Sequence, residues 1–220
     1  MKKILTLSII AWLLVTSWVY AINSNEIMSA NNLALKWIIK SHSKNTNLYN
    51  LNSPVLRQEI ALISRRVSGV LENSSCKNTF ADITSKKPNN WVCTNVEALV
   101  ENKLISKNRF FNPERNISKS EALIMFIKSI WFPEFEIKDP KNWQKEVVDF
   151  AVKNEVVERF TDYNKDAKRG WIFKIADYSI KVKEKRVKAW TWKKRKKYSD
   201  EVSINEDMWF DITEILNMTN

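Results

Sequence analysis

The sequence predicts an all-α protein built from three helix-loop-helix repeats. Two observations carry this reading. A pattern recurs along the middle of the chain: Phe80-Ala81-Asp82 leads to Trp91, Val96-Glu97, Asn102, Leu104-Ile105, Phe111-Asn112 and Ser118-Lys119-Ser120-Glu121. Trp143, Val148-Asp149, Asn154, Val156-Val157 and Tyr163-Asn164 repeat it 52 residues later, and Tyr49-Asn50, Arg57 and Glu59 stand 62 residues before their counterparts. The second observation is apolar spacing of three and four residues between the loops, the period of a helix buried on one side. A chain that repeats a unit of this size stacks small modules against one another, so function belongs to a repeated surface.

In chain order, residues 25–40 are expected to be helical, with Ile27, Met28, Leu33, Ala34 and Ile38 at helical spacing. A polar loop, 41–53, holds the single His42. Pro54 suits the first turn of a second helix, whose inner face is Leu56, Ile60, Ile63 and Val67 and which ends near Gly69. The second unit opens with a loop, 73–90. A helix over 91–103 follows, with Val92, Val96, Leu99 and Val100 inward, then a loop over 108–116. Ser118 is expected to cap the next helix, with Glu121 completing a capping box. That helix runs through Leu123, Ile124, Phe126, Ile127 and Ile130. The third unit repeats the order: loop 132–142, helix 143–154, loop 158–168, helix 170–185. Trp91 and Trp143 hold matching positions and are expected to pack in the core. Short extended pieces fit at the aromatic-Asn loops, but nothing predicts an extensive sheet.

The boundaries follow: an export signal over 1–21, repeats over 22–73, 74–131 and 132–181, a basic linker over 182–198 and a short acidic tail over 199–220. Net charge is +11, and its excess is concentrated between Lys181 and Lys197, where ten Lys or Arg face one Glu. The tail has Val202, Ile204, Met208, Phe210, Ile212, Ile215 and Leu216 at apolar spacing. At the N-terminus, Lys2 and Lys3 precede an uncharged stretch from Ile4 to Val19, and Val19-Tyr20-Ala21 offers small residues for cleavage. An uncleaved membrane anchor is the alternative, since the stretch is nearly long enough to span a bilayer. After cleavage no integral span is expected. Cys76 and Cys93 are the only cysteines. In an exported protein they are expected to pair, closing a loop worth about 3 kcal/mol of unfolded-chain entropy; two free buried thiols are the alternative. Two Cys and one His leave a four-ligand zinc site without its ligands.

The chain has 2 glycines and 10 tryptophans, where average usage gives about 15 glycines. Trp131 follows an apolar helix and precedes Phe132-Pro133, where a left-handed glycine is expected. Trp37 stands at another helix end, before Ile38-Ile39, and Trp190 and Trp192 lie in a lysine-rich stretch. These observations carry a hypothesis: Trp12, Trp18, Trp37, Trp131, Trp190 and Trp192 include glycines in the living cell, encoded by UGA. The coding DNA decides it.

The ordered set of motifs resembles the S-layer homology family, usually found in three tandem copies. The shared signs are the F-x-D opening at Phe80-Ala81-Asp82, a Trp five residues before an apolar-acidic pair, and an apolar pair before the loop. The last sign is the family's Ile-Thr-Arg-Ala-Glu helix start. That start stands here as Val55-Leu56-Arg57-Gln58-Glu59, Ile117-Ser118-Lys119-Ser120-Glu121 and Ala167-Lys168-Arg169-Gly170-Trp171. The resemblance implies three units packed about a pseudo-threefold axis. Their grooves would bind cell-wall polysaccharide without a covalent bond. It assigns Arg57, Lys119 and Arg169 to an acidic group on the glycan, often a pyruvate ketal, and gives Glu59 and Glu121 a supporting role in capping and orienting. A planar guanidinium can grip a carboxylate through two parallel hydrogen bonds; Lys119 supplies only a point charge, so the second groove is expected to be weaker. Trp171 replaces the third glutamate and puts the third groove in question, and Leu56 in place of Thr removes a capping hydroxyl.

Function is therefore expected to be non-enzymatic anchoring at the cell envelope of an exported protein, with no cofactor and no metal. The alternative locates binding in the segment from Lys181 to Lys197, whose clustered cations suit nucleic acid or acidic lipid. An enzyme is disfavoured: the chain has no glycine-rich phosphate loop, nucleophile elbow or metal-ligand spacing, and nothing fixes the separation of carboxylates such as Asp149 and Glu155.

Overall fold

The computed structural model describes residues 25–40, 49–86, 90–130 and 135–202, with side chains through residue 193. The expected export signal, Trp12, Trp18, His42, Trp131 and the tail beyond residue 202 lie outside the described residues. The protein is all-α. Helix α1 covers 25–35, α2 Arg57–Ser68, α3 Asn90–Glu101, α4 Lys119–Ser129, α5 Trp143–Lys153 and α6 Arg169–Val202. Among the described residues there is no strand, only three isolated bridges.

Helices α1, α3 and α5 end in the same way. Trp37, Lys103 and Glu155 adopt left-handed backbone, at φ 59°, 58° and 59°. Each N–H donates three residues back, and the next N–H donates five back. These pairs are Trp37 to Ala34 and Ile38 to Leu33, Lys103 to Val100 and Leu104 to Leu99, and Glu155 to Val152 and Val156 to Ala151. This paired closure satisfies the last carbonyls of a helix and ordinarily takes glycine. Trp37 thus stands where the sequence suspected a glycine, with its side chain 86 % exposed. Trp190 and Trp192 lie inside α6, not at a helix end.

Helices α2, α4 and α6 begin in the same way. Just before them, Val55, Ile117 and Ala167 form a closed ring of backbone hydrogen bonds. Val55 donates to Ala167 (3.1 Å), Ala167 to Ile117 (2.9 Å) and Ile117 to Val55 (2.9 Å). The N–H groups two residues on form a second cycle that runs the opposite way round: Arg57 donates to Arg115 O (2.9 Å), Lys119 to Lys165 O (3.0 Å) and Arg169 to Ser53 O (2.9 Å). Three extended triplets that pair in a ring leave one another no open edge. All three central side chains are buried, so the ring sits on apolar contact and its hydrogen bonds do not compete with water. These are the short extended pieces, placed at the helix starts. Pro54 belongs to this ring, bridging Lys168, and not to the first turn of α2, which is capped at Leu56.

The core collects the inward faces: Leu33 of α1, Ile60 and Val67 of α2, Leu99 of α3, Leu123, Phe126 and Ile127 of α4, Val147 and Ala151 of α5, and Ile172 and Ile175 of α6. Helix α2 packs on α3 and α4, and α4 on α5. Polar ties join α1 to the rest: buried Asp177 accepts from Ser29 and Asn32, and Arg66 donates to Ile38 O. Trp143 packs partly buried against the core, as its repeat position predicts, but Trp91 remains 37 % exposed. It lies in the first turn of α3, before the buried Val92.

The chain divides into two units, Met1–Lys183 and Glu184–Asn220. The expected basic linker is helical, because α6 continues through it to Val202. Lys, Arg and Ala there are strong helix formers with no Gly or Pro to stop the helix. No helix among the described residues is long and apolar enough to cross a membrane.

Candidate functional site

Arg57, Lys119 and Arg169 are the first residues of α2, α4 and α6. A cation there opposes the helix dipole, which favours acids in the first turn. A local rule broken three times in register points to a role other than helix stability. Each cation reaches toward the third residue of another of these helices, so the three form a cycle of seams.

In the first seam, Arg57 lies 3.5 Å from Glu121 and its guanidinium carbon 4.9 Å from the centre of the Phe111 ring. Its side chain is 20 % exposed. Burial lowers the Arg57 pKa, against the opposing charge of Glu121. Glu121 is gripped more closely by Arg115, through two bonds of 3.1 and 2.6 Å, and accepts the Ser118 N–H at 3.1 Å. Burial pushes the Glu121 carboxyl up, but the Arg115 and Ser118 hydrogen bonds and the two guanidinium charges outweigh it and hold it below its ordinary value. Ser118 accepts in turn from the Glu121 N–H, so the expected capping box is formed. Phe111 is fixed from behind. Asp82 of the F-x-D opening accepts the N–H groups of Phe111 and Asn112 at 2.8 and 2.6 Å, and Phe80 packs edge-on to Phe111.

In the third seam, Arg169 donates to Glu59 at 2.7 Å, and its Nε is buried without a hydrogen-bond partner among the described residues. Glu59 also accepts the Leu56 N–H at 2.9 Å, which is half of a capping box; the Leu56 side chain cannot supply the other half. Gly170 follows because Glu26 lies against it: a Cβ there would meet Glu26 Oε2 at 2.1 Å. Burial pushes the Glu26 carboxyl up, against the charges of Lys174 and Lys168.

The second seam differs. The position held by Glu59 and Glu121 is Trp171 here, and Lys119 turns to Asp162, at 2.8 and 2.7 Å from its two oxygens. The hydrogen bond from Lys119 holds Asp162 below the ordinary carboxyl range. The Lys119 ammonium also lies 5.3 Å from the Phe160 ring and 5.8 Å from the Trp171 ring. The order of motifs put the third groove, that of Arg169, in question; Trp171 instead alters the seam of Lys119, while Arg169 keeps a glutamate partner in Glu59. The two departures from the motif, Lys119 and Trp171, meet in one place.

Asp162 escaped the sequence reading because the third loop is shorter by two residues. Ser53, Arg115 and Lys165 donate to Asn50, Asn112 and Asp162 respectively, so Asp162, not Asn164, is the counterpart of Asn112. The signal was available: Lys119 and Arg169 are 50 apart while Trp91 and Trp143 are 52 apart. Arg115 was also missed: its counterpart in the first repeat is Ser53, and although Lys165 in the third is also a cation, it lies 3.8 Å from Asp162 of its own loop rather than gripping a helix-start glutamate.

Cys76 and Cys93 are joined in a disulfide, Cα to Cα 5.5 Å. They and Glu97 form a cluster of metal-ligating types, but the sulfurs are bonded to each other and Glu97 accepts the N–H groups of Lys77 and Thr79. No protein-family model matches this chain, and no curated protein matches it.

Proposed function

We propose that this is an exported, non-enzymatic cell-surface protein of the S-layer homology type. Its three repeats, equivalent about a pseudo-threefold axis, hold an anionic cell-wall polysaccharide without a covalent bond. One observation carries the reading: three motif cations open three helices joined by a closed ring of hydrogen bonds, and each is turned into a seam. Arg57 is the leading ligand-binding residue. Its ion pair with Glu121 is loose, at 3.5 Å, and that carboxylate is held more closely by Arg115, which supports a role for Arg57 toward a further acceptor. Arg169 comes second, through its unpartnered Nε. Glu59 and Glu121 hold the cations and cap the helices. Export rests on the N-terminal sequence.

The test is a pull-down of the chain with purified wall polysaccharide from the source cells. Binding should weaken with salt, as exposed charge interactions do. Arg57→Ala should reduce it about tenfold or more, the worth of a charge-assisted hydrogen bond. Absence of binding at low salt would overturn the reading.

A second reading places binding in the basic part of α6, where a nucleic acid or acidic lipid would be the partner. It is favoured by the continuous helix to Val202 and by exposed Val187, Trp190 and Trp192 among the cations. Replacing Lys185, Arg186 and Lys188 by Gln in the full chain separates the two, since only this reading expects loss of binding.

A further inference from the structure

The geometry points to a second kind of carbohydrate contact in this protein: a groove in the third repeat that stacks the apolar face of an uncharged pyranose ring on Trp171. It rests on the polysaccharide reading above and names what the Lys119 seam contributes to it.

Trp171, Lys174, Ile175 and Tyr178 recur at helical spacing along α6 and so form one stripe on its surface. They face the segment from Glu155 to Phe160 across a groove of about 380 Å³, within the size range of small-ligand sites. Three rings line it: Trp171, Phe160 and Tyr178. Phe160 stands perpendicular to Trp171 with centroids 5.7 Å apart, and Tyr163 in turn packs edge-on with Phe160 at 6.0 Å. These contacts fix the indole, so little side-chain freedom is lost when a ligand lies against it.

The cations around the groove are matched within the protein. Lys119 is held by Asp162 at 2.7 Å, Arg159 by Asp149 at 2.5 Å, and Lys174 faces Glu158 at 3.5 Å. An anionic group would therefore gain little here, in contrast to the Arg57 seam. The rim carries Lys174 and the 91 % exposed Glu158, a loose pair at 3.5 Å that leaves donor and acceptor capacity on either side. Donors and acceptors together suit hydroxyl groups, which do both. Rings with an apolar face and a mixed polar rim are the complement of a neutral sugar ring. At the equivalent positions Glu59 and Glu121 are committed to a helix cap and a cation, so this contact belongs to the third repeat alone.

The test uses the full chain and two probes: the native wall polysaccharide and the same polysaccharide with its carboxyl groups chemically reduced. The expected result is binding to the carboxyl-reduced probe that persists at high salt, falls tenfold or more in Trp171→Ala and is largely kept in Trp171→Phe. Trp171→Glu restores the residue type of the other repeats, so it serves where Trp171→Ala fails to fold; it should also lose the salt-resistant binding. Failure of the carboxyl-reduced probe to bind, or undiminished binding by Trp171→Ala or Trp171→Glu, would overturn the inference. The anionic reading stands or falls separately, on salt-sensitive binding of the native probe and its loss in Arg57→Ala.

Discussion

Replacing Trp37 by glycine is expected to stabilise the protein, although it deletes the largest side chain. Left-handed backbone costs a residue bearing a Cβ roughly 1–2 kcal/mol, and Trp37 holds φ 59°. Glycine relieves that cost but makes the unfolded chain looser by about 0.4–1 kcal/mol. The side chain is 86 % exposed, so little apolar burial is lost, and the two closing bonds, Trp37 to Ala34 and Ile38 to Leu33, are made by backbone alone. The net gain is about 1 kcal/mol, or a rise in Tm of about 2–4 °C for a chain of this size. Urea unfolding should show a higher midpoint with an unchanged slope. Lys103→Gly and Glu155→Gly, in the same backbone conformation, should gain similarly. Gly69→Ala, at φ 78°, should lose stability. A neutral or destabilising Trp37→Gly beside stabilising changes at the other two positions would refute the reasoning. The same argument makes codon 37 the place to read in the coding DNA: UGA is expected there, and UGG at Trp37 or Trp131 would end the glycine hypothesis.

Three other perturbations have definite expected outcomes. Replacing both Cys76 and Cys93 by Ser should cost about 3 kcal/mol by the loop-entropy argument, read by chemical denaturation, and should loosen Phe111 because Asp82 and Phe80 ride on the tethered loop. Leu56→Ser should complete the capping box that Ser118 makes in the next repeat and add about 0.5–1 kcal/mol; no gain would show that the partly buried Leu56 side chain matters more to α2 than its cap. Stability should fall in acid. Glu121 and Asp162 hold protons less readily folded than unfolded, so their contribution is present above the ordinary carboxyl range near pH 4 and disappears as the pH drops through their lowered values. Glu26 has the opposite sign, raised by burial. Its ionisation therefore weakens the fold as pH rises through that range, and Glu26→Gln should flatten that limb of a pH titration of unfolding while leaving the acid limb intact.

Periodicity and the repeated motif were sufficient for the all-α class, the helix order, the Ser118 cap and the placing of Arg57, Lys119 and Arg169 at helix starts, because each depends on residues close together in sequence. Even the left-handed ending at Trp37 was legible, since a Trp before an apolar pair breaks the usual glycine rule at a helix end. The length of α6 was not. A run of cations looks like a solvated linker, yet nothing in it stops a helix. The pairing of each cation was decided only in three dimensions. Hydrogen bonds from Val55 to Ala167, from Ala167 to Ile117 and from Ile117 to Val55 join residues far apart in the chain, and a loop shortened by two residues brings Asp162, rather than Asn164, to Lys119. Motif spacing describes one repeat at a time. Which residue of another repeat faces it depends on how the buried triplets close on themselves, and that closure follows from burying all their apolar side chains and satisfying all their backbone groups at once.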